Sequence, residues 1–373
     1  MRILHLITLY SPDGAFGGPL RVALNQAVEL GGRGHVVQLA GGWTSSGEPP
    51  AAVGGVQLHL FRSRRPVPRG GFSALVSPGL VWWLISHAAD YDIIHVHAGR
   101  DLTSQSVMIV LALLRRKFVI QTHGMIGIDG RLRTKLVDVL WVRRLLRQAT
   151  SRLVLTQREK NELSVLVGSD VSVQMMGNGV PSAGRSSVAS DRGEVLFCAR
   201  LHPRKRPLAF VQMAAVLVAR GVQARFTIVG PDEGELHAVR GAISALGLSQ
   251  FVRYDGALAY DEVLLRMARA EVYVLPSVDE PFPMSLLEAL SAGVATVSTD
   301  STGVASILLE NQAGLVCDRG VDALADAVER LLGDPDLRAE LSRNALHVVD
   351  TVFSLTSVCD ELERTYDEVR AVR

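Results

Sequence analysis

Two glutamates and two cations follow apolar, β-type runs in the second half of the chain. Glu280 and Glu288 lie in the stretch Pro276–Gly293, which opens after Val272-Tyr-Val-Leu275 and closes before a second such run, Val294 to Ser298. The pattern reads as strand, loop, helix, strand. The helix is expected to begin near Pro283 or Met284, because proline has a helical φ and no N–H to leave unpaired in a first turn, and Gly293 is a natural stop. Glu280 then sits in a loop at the carboxyl end of a strand, and Glu288 about one turn into the helix on the same side. In an open parallel sheet, ligands bind in the crevice beyond those carboxyl ends. Arg200 and Lys205, in Arg200-Leu-His-Pro-Arg-Lys205, directly follow another β-type run and stand at the mouth of the same crevice, with Arg204 and Arg206 able to share their task. An arginine can bind two oxygens of a diphosphate and a lysine acts as a point charge, while a carboxylate accepts hydrogen bonds from paired hydroxyls. Cations for phosphate and carboxylates for hydroxyls together describe a site for a nucleotide sugar. The segment Phe282, Pro283, Met284 and Ser285, at the loop and helix start, adds backbone donors.

The first half offers a weaker set. Gly17-Gly18 precedes the helical pattern Leu20, Leu24, Ala27, Val28 and is a phosphate-loop candidate, although glycines before a helix often do no more than turn the chain. His123-Gly124 ends the strand Phe118 to Thr122, again at a carboxyl end, and points to the same crevice face as Gly17 if the sheet is parallel. His95 and His97 share one face of the strand Ile93–His97, a spacing that could hold a metal. With no third ligand nearby in sequence, they read as two polar residues at a strand end. Asp90-Tyr-Asp92 and Asp334-Pro-Asp336 match a metal-binding Asp-x-Asp spacing, but one precedes a strand and the other starts a helix, so both read as caps and turns. Arg131 to Arg147 carries six basic residues and one acidic, with Leu132, Leu136, Val139 and Leu140 at helical spacing and Trp141 beside them. It reads either as an amphipathic helix for an anionic membrane surface or as a helix packing one stripe on the sheet.

The elements that must position these residues form two sets. A chain of 373 residues that is 48% apolar can bury two cores. Its net charge of +1 hides an asymmetry: residues 1–180 carry 20 Lys/Arg against 11 Asp/Glu, and residues 181–373 carry 19 against 27. The first half is therefore the side suited to an anionic surface or acceptor. Residues 1–180 read as one α/β domain, the Ser/Gly/Ala-rich stretch 181–193 as a linker, 194–350 as a second α/β domain, and 351–373 as a C-terminal helix expected to pack back on the first. The region from about 41 to 71 reads as polar and Pro/Arg-rich, without a strand. Cys198, Cys317 and Cys359 show no paired spacing, so neither a disulfide framework nor a zinc site is implied, and a reducing, cytoplasmic compartment is the simplest expectation. No apolar run is long enough for a membrane span, and the basic residues lack the interleaved aromatics of a nucleic-acid surface.

The frame Glu280-Pro-Phe-Pro-x3-Leu-Glu288-Ala-x-x-Ala-Gly293 resembles the signature of retaining glycosyltransferases with the GT-B fold, in particular family 4. The resemblance covers nearly the whole chain: Gly17-Gly18, His123-Gly124, Asn178-Gly-Val180, Arg200 with Lys205, Gly230-Pro-Asp-Glu-Gly234 and Gly303 stand where that family places its features. It departs at Pro281, Pro283, Ala295, Cys198 and Ser306, none of them a matched catalytic position. The resemblance implies two Rossmann-like open-sheet domains facing each other across a cleft, and metal-independent transfer of a hexose-type sugar, with retention, from a UDP or GDP donor. Arg200 and Lys205 match the cations on the donor diphosphate, Glu288 the carboxylate on the ribose, and Glu280 the carboxylate facing the donor sugar. His123 matches the residue beside the anomeric carbon, and Gly17 and Gly18 the loop near the phosphates. Leu258, in the loop Gly256 to Leu258, is similar in position to the segment touching the nucleobase. The implied partners are the nucleotide sugar, taken as a substrate with no further cofactor, and a sugar or lipid-linked acceptor. A nucleotide-sugar 2-epimerase of the same architecture, or a silent sugar-nucleotide-binding scaffold, are the alternatives.

Overall fold

The computed structural model describes residues 1–11, 17–66, 71–127, 138–168, 170–182 and 193–372. Two compact units result. One holds the described residues up to Gly179 together with those from Leu355 onward, and the other holds the described residues of Val180–Ser354.

The first unit is built on eight strands: β1 (Arg2–Tyr10), β2 (Val36–Trp43), β3 (Ala52–Val53), β4 (Val56–Arg62), β5 (Ile93–His97), β6 (Val119–Gln121), β7 (Ser151–Val154) and β8 (Gln174–Met175). Their order is β3-β4-β2-β1-β5-β6-β7-β8, and every pair is parallel except β3 with β4. Parallel strands need long crossovers, and helices on both faces supply them. Central strands are consequently apolar throughout: β1 is buried at every position after Arg2. The second unit has six parallel strands, β9 (Glu194–Cys198), β10 (Arg225–Val229), β11 (Val252–Gly256), β12 (Val272–Leu275), β13 (Ala295–Thr299) and β14 (Leu315–Cys317), ordered β11-β10-β9-β12-β13-β14. In each sheet the order of succession reverses once, between β1 and β5 and between β9 and β12. Connections leave these paired strands toward opposite faces, so a crevice opens at their carboxyl ends.

One stretch departs from the sequence reading. Part of the region taken as strandless forms the β3–β4 hairpin, and β4 runs parallel to β2 with Gln38 beside Gln57 through Trp43 beside Arg62. Val56 and Leu58 are buried while Gln57 is exposed, an alternation that the surrounding Pro and Arg residues masked.

The helix Leu355–Ala371 belongs to the first unit because of its apolar stripe. Leu355, Val358, Cys359, Leu362, Tyr366 and Val369 recur at helical spacing and join the cluster of Ile3, Ile7, Leu24, Leu39 and Leu153 on one sheet face. Arg33 fixes its register, binding Asp360 at 2.6 Å, Glu363 at 2.7 Å and the Thr356 carbonyl at 2.8 Å. The second unit's core lies around Phe197, Phe210, Phe226, Val272 and Val297, in which Phe210 packs between two other rings. Leu362→Ala should cost about 2–5 kcal/mol through lost burial and the cavity left behind. The first unit's thermal transition should therefore fall by several degrees, and an unchanged transition would mean that this helix does not stabilise the sheet.

Candidate functional site

In the second unit the site residues gather at the β9/β12 reversal. The chain leaves β9 through Ala199 and Arg200 and reaches a short turn, Pro203–Lys205, where the His202 ring accepts the Arg204 N–H at 3.1 Å. Arg206 then takes a left-handed φ of 54° and hands over to the helix Pro207–Ala219. Leaving β12, the loop reaches Asp279, also left-handed at φ 50°, before the helix Met284–Ser291. The Val278 N–H donates to the Arg204 carbonyl at 2.9 Å and ties the two loops together. Non-glycine residues in this conformation cost free energy, and it persists where the surroundings over-determine the backbone.

This tie brings Lys205 against Glu280. Nζ of Lys205 donates to Oε1 of Glu280, and the two side chains are only 10% and 12% exposed. The other carboxylate oxygen, Oε2, is buried and has no partner among the described residues. Arg200 is held by a carboxylate too, with Nη1 at 2.8 and 2.7 Å from the two oxygens of Glu233. Arg200 and Lys205 are thus each already partnered by a glutamate, whereas Arg206 donates to the carbonyls of Pro276 at 3.3 Å and Arg319 at 2.9 Å. Glu233 was not singled out from sequence. It follows the Gly230-Pro-Asp turn, and its N–H donates to the Leu201 carbonyl at 3.1 Å.

Two glycines make these approaches possible. A Cβ on Gly230 (φ +143°) would lie 2.0 Å from the Ala199 carbonyl oxygen, and one on Gly303 would lie 1.9 Å from that of Pro281. The Gly303 N–H donates to the Glu280 carbonyl at 2.8 Å, so this glycine backs the loop that carries the carboxylate.

Glu288 is buried on the Met284–Ser291 helix. Its charge reaches the end of β9: burial first, with Glu288 adding, pushes the Cys198 thiol up to about 12. Tyr273, whose hydroxyl donates to the Cys198 carbonyl at 3.1 Å, lies within reach of both Glu280 and Glu288. Pro283 precedes the helix with an extended ψ of 94°, and the N–H groups of Leu286 and Leu287 are the ones that bond back to its carbonyl. Those of Met284 and Ser285 therefore stand outside the helical ladder. Phe282 packs edge-on against Phe353, with centroids 5.8 Å apart. Leu258 is half-buried just after β11.

In the first unit, Gly17 and Gly18 open the helix Gly17–Gly32, and a Cβ on Gly18 would meet nothing within 4 Å. His123 follows β6 with φ 51°, and Gly124 with φ 72°. Buried Glu159, which sequence reading missed, holds this turn: it accepts from the Thr122 hydroxyl, from the Gly124 N–H at 2.6 Å and from the Leu155 N–H at 2.7 Å.

His95 and His97 are not the isolated pair that the sequence suggested. β1 runs beside β5 with His5 opposite His95, and ring nitrogens of His5, His95 and His97 lie within 4.8 Å of one another. Three buried imidazoles are a donor set that suits a transition metal. Against this, both nitrogens of His97 already have partners, Nε2 with His5 Nδ1 at 2.9 Å and Nδ1 with His123 Nε2 at 2.8 Å. His95 Nδ1 bonds the Tyr366 hydroxyl at 2.8 Å. The Asp-x-Asp matches are structural: Asp92 accepts the Arg2 N–H at 2.8 Å, and Asp334 caps the helix Pro335–Thr351 through the Leu337 N–H at 2.9 Å. Residues 131–137 of the basic stretch lie outside the described residues, as does most of the stretch read as a linker. Within the described part, Leu145 and Leu146 are buried, Trp141 is half exposed and Arg147 pairs with Asp170 at 2.5 Å.

Comparison with known proteins decides the family. Residues 17–179 match the glycosyl transferase 4-like domain, and residues 184–348 match glycosyl transferases group 1. The chain belongs to the group 1 glycosyltransferases. Its two parallel-sheet α/β domains have the GT-B fold: sucrose-phosphate synthase of Thermosynechococcus elongatus superposes with a TM-score of 0.79 at 18% identity, covering all of both chains. Anabaena HepE, solved with UDP and glucose, gives 0.79 at 19% identity over 99% of this chain and 100% of its own. In sequence, the α-D-kanosaminyltransferase of Streptomyces kanamyceticus is 31% identical over 48% of this chain. The chain spans just under half of that relative's length (46%), and 23% of that of an exopolysaccharide phosphotransferase of Streptomyces coelicolor. The GDP-mannose:cellobiosyl-diphosphopolyprenol α-mannosyltransferase of Xanthomonas campestris is 24% identical over 89% of this chain and 87% of its own. No helix among the described residues is long and apolar enough to cross a membrane.

The buried imidazoles of this glycosyltransferase make its stability depend on acid. Burial lowers His5 and His123 to about 3 and holds His95 and His97 well below the ordinary 6.5. The unfolded chain thus binds protons that the folded chain does not, so stability is full above pH 6.5 and is lost as pH falls below it. Four such groups give a slope of up to about 5 kcal/mol per pH unit between roughly pH 6 and 4. Urea unfolding across this range should show it, and a flat profile would mean that the cluster is hydrated and titrates normally.

Proposed function

We propose that this glycosyltransferase moves a hexose-type sugar, with retention and without a metal ion, from a UDP or GDP donor to a sugar or lipid-linked acceptor. One observation carries the reading: Lys205 and Glu280 form a nearly buried pair at the β9/β12 reversal, and the second oxygen of Glu280 faces no partner among the described residues. A buried carboxylate oxygen left unpaired is costly, and a donor hydroxyl would satisfy it.

The chemistry follows from charge. When the bond from the anomeric carbon to the leaving phosphate lengthens, negative charge grows on the diphosphate. Arg200 and Lys205 are fixed cations at that place, and they need no reorganisation to stabilise it as it develops. Glu233 and Glu280 hold them in place, and binding a diphosphate would exchange one anionic partner for another. Glu288 reads the ribose hydroxyls, and the N–H groups of Met284 and Ser285, at the start of a helix, donate to donor oxygens beside Phe282 and Pro283. Leu258 borders the nucleobase, Gly17 and Gly18 lie by the phosphates, and His123 stands beside the anomeric carbon. The relatives named for a GDP-mannose donor and a diphosphopolyprenol acceptor, and the neighbour solved with UDP and glucose, support this class of donor and acceptor. An acceptor carried in a membrane would bring the basic stretch 131–147 to an anionic surface.

Lys205→Ala should weaken binding of the preferred nucleoside diphosphate by about 1.5–3 kcal/mol, roughly 10- to 150-fold, read by titration calorimetry. Unchanged affinity for both UDP and GDP would sink the phosphate assignment. Turnover should survive EDTA, and full loss restored by Mg²⁺ or Mn²⁺ would contradict the metal-free mechanism. Release of nucleotide only when acceptor is present marks transfer, whereas a free sugar product altered at C2 would mark epimerisation.

A further inference from the structure

The three rings His5, His97 and His123 form a chain that reaches from the interior of the first sheet to the end of β6. His5 Nδ1 meets His97 Nε2 at 2.9 Å, and His97 Nδ1 meets His123 Nε2 at 2.8 Å. The rings stack nearly parallel, His5 on His97 at 25° and His97 on His123 at 15°, with centroids 5.2 and 5.0 Å apart. His95 lies against His97 at 4.5 Å and 20°, and is itself tied to Tyr366, so the plane of His97 is held from the side.

This connectivity restricts the protons. A neutral imidazole has one N–H and one bare nitrogen. If His5 donates from Nδ1, His97 accepts at Nε2 and must donate from Nδ1, and His123 accepts at Nε2 and must carry its own proton on Nδ1. If the first bond runs the other way, all three rings carry the proton on Nε2. The three rings therefore share one tautomer. The two arrangements differ only at their ends, His5 Nε2 and His123 Nδ1, both buried and both without a partner among the described residues. In the first, the unpaired N–H is on His123, after the carboxyl end of β6. In the second it is on His5, in the middle of a strand in the core. A buried N–H without an acceptor is costly, and only at His123 can a ligand rich in oxygen supply one.

We propose that His97 and His5 are positioning residues that lock His123 in the Nδ1–H tautomer, so that it presents a proton, rather than a lone pair, to an oxygen of the bound donor. The proposal rests on the reading that His123 faces the donor sugar, and it explains why a strand in the core carries a fully buried histidine two rings away from the chemistry. His5 and His97 touch no substrate; they act through the His123 ring.

The full chain, labelled with ¹⁵N-histidine, tests the lock. Long-range ¹H–¹⁵N correlation near pH 7.5 should assign His5, His97 and His123 all to the Nδ1–H form. An Nε2–H form on any of the three would overturn the proposal, and so would a stoichiometric metal ion bound to these nitrogens in the purified protein. His5→Leu should turn His123 into a mixture of tautomers and lower kcat about tenfold, with the donor KM within about twofold. His5→Asn, whose amide nitrogen stands where Nδ1 stood, should restore both. A His5→Leu variant that folds and keeps the wild-type His123 tautomer and kcat would contradict the lock. If His5→Leu does not fold, the wild-type spectrum decides alone. The spectrum also reads the lock independently of catalysis: the expected tautomers together with a kcat unchanged by His123→Ala would refute the placement of His123 at the donor and leave the lock standing.

Discussion

A cation taken out of water has to be paired, and the way Lys205 and Arg200 are paired explains most of the second unit's construction. Removing one partner of a buried ion pair is strongly destabilising, because the remaining charge has neither water nor a counter-ion. Glu280 supplies the counter-charge to the nearly buried Lys205, and Glu233 the counter-charge to the partly exposed Arg200. The left-handed turns at Arg206 and Asp279, the backbone bond between Val278 and Arg204, and the glycines at 230 and 303 bring these loops close enough for the pairs to form. The same arrangement suits a ligand whose own negative charge replaces that of a glutamate. Binding then costs less desolvation than it would at cations fully exposed to water, since part of that cost is met in folding.

The first unit answers a different constraint. On one face of its sheet lies a cluster of uncharged polar groups, the imidazoles of His5, His95 and His97 with Gln26, Gln121, Asn178 and the Tyr366 hydroxyl, between or beside apolar side chains and with the half-buried His123 at its end; the same unit also buries Asp101, Arg152 and Glu159. Gln26 donates to Gln121 and Gln121 to Asn178, each at 3.3 Å, so the polar groups are linked to one another. A buried polar network holds a unique arrangement only if its members are satisfied, and here His5 Nε2, His95 Nε2, His123 Nδ1 and Gln26 Oε1 have no partner among the described residues, so these are points where this face can respond to a ligand or fail. The C-terminal helix belongs to that network as well as to the apolar core, because Tyr366 reaches His95 from it.

Much of this was legible in the sequence wherever proline and glycine punctuate regular patterns. The strand, loop and helix around Pro276–Gly293 follow from the apolar run before them, from Pro283 at the helix start and from Gly293, whose φ of +70° ends it. The clustering of Glu280 with Lys205 was legible only in outline: both lie at carboxyl ends of strands, but 75 residues separate them, and their direct pairing depends on which strands become neighbours. Glu233 was visible only as part of the stretch Gly230-Pro-Asp-Glu-Gly234, without its pairing to Arg200, and Glu159 went unnoticed, since nothing local marks a carboxylate that caps a distant loop. His5 stands 90 residues before His95, and only the β1–β5 register sets one beside the other. The β4 strand was hidden because Gln57 and His59, on its more exposed face, lie next to a run of Arg and Pro.

The most direct test of the central account is a crystal structure with the preferred nucleoside diphosphate bound. Phosphate oxygens should stand within hydrogen-bond distance of Arg200 and Lys205, with at least one of the two cations released from its glutamate and the ribose hydroxyls on Glu288. A nucleotide bound elsewhere, with both ion pairs intact, would contradict it.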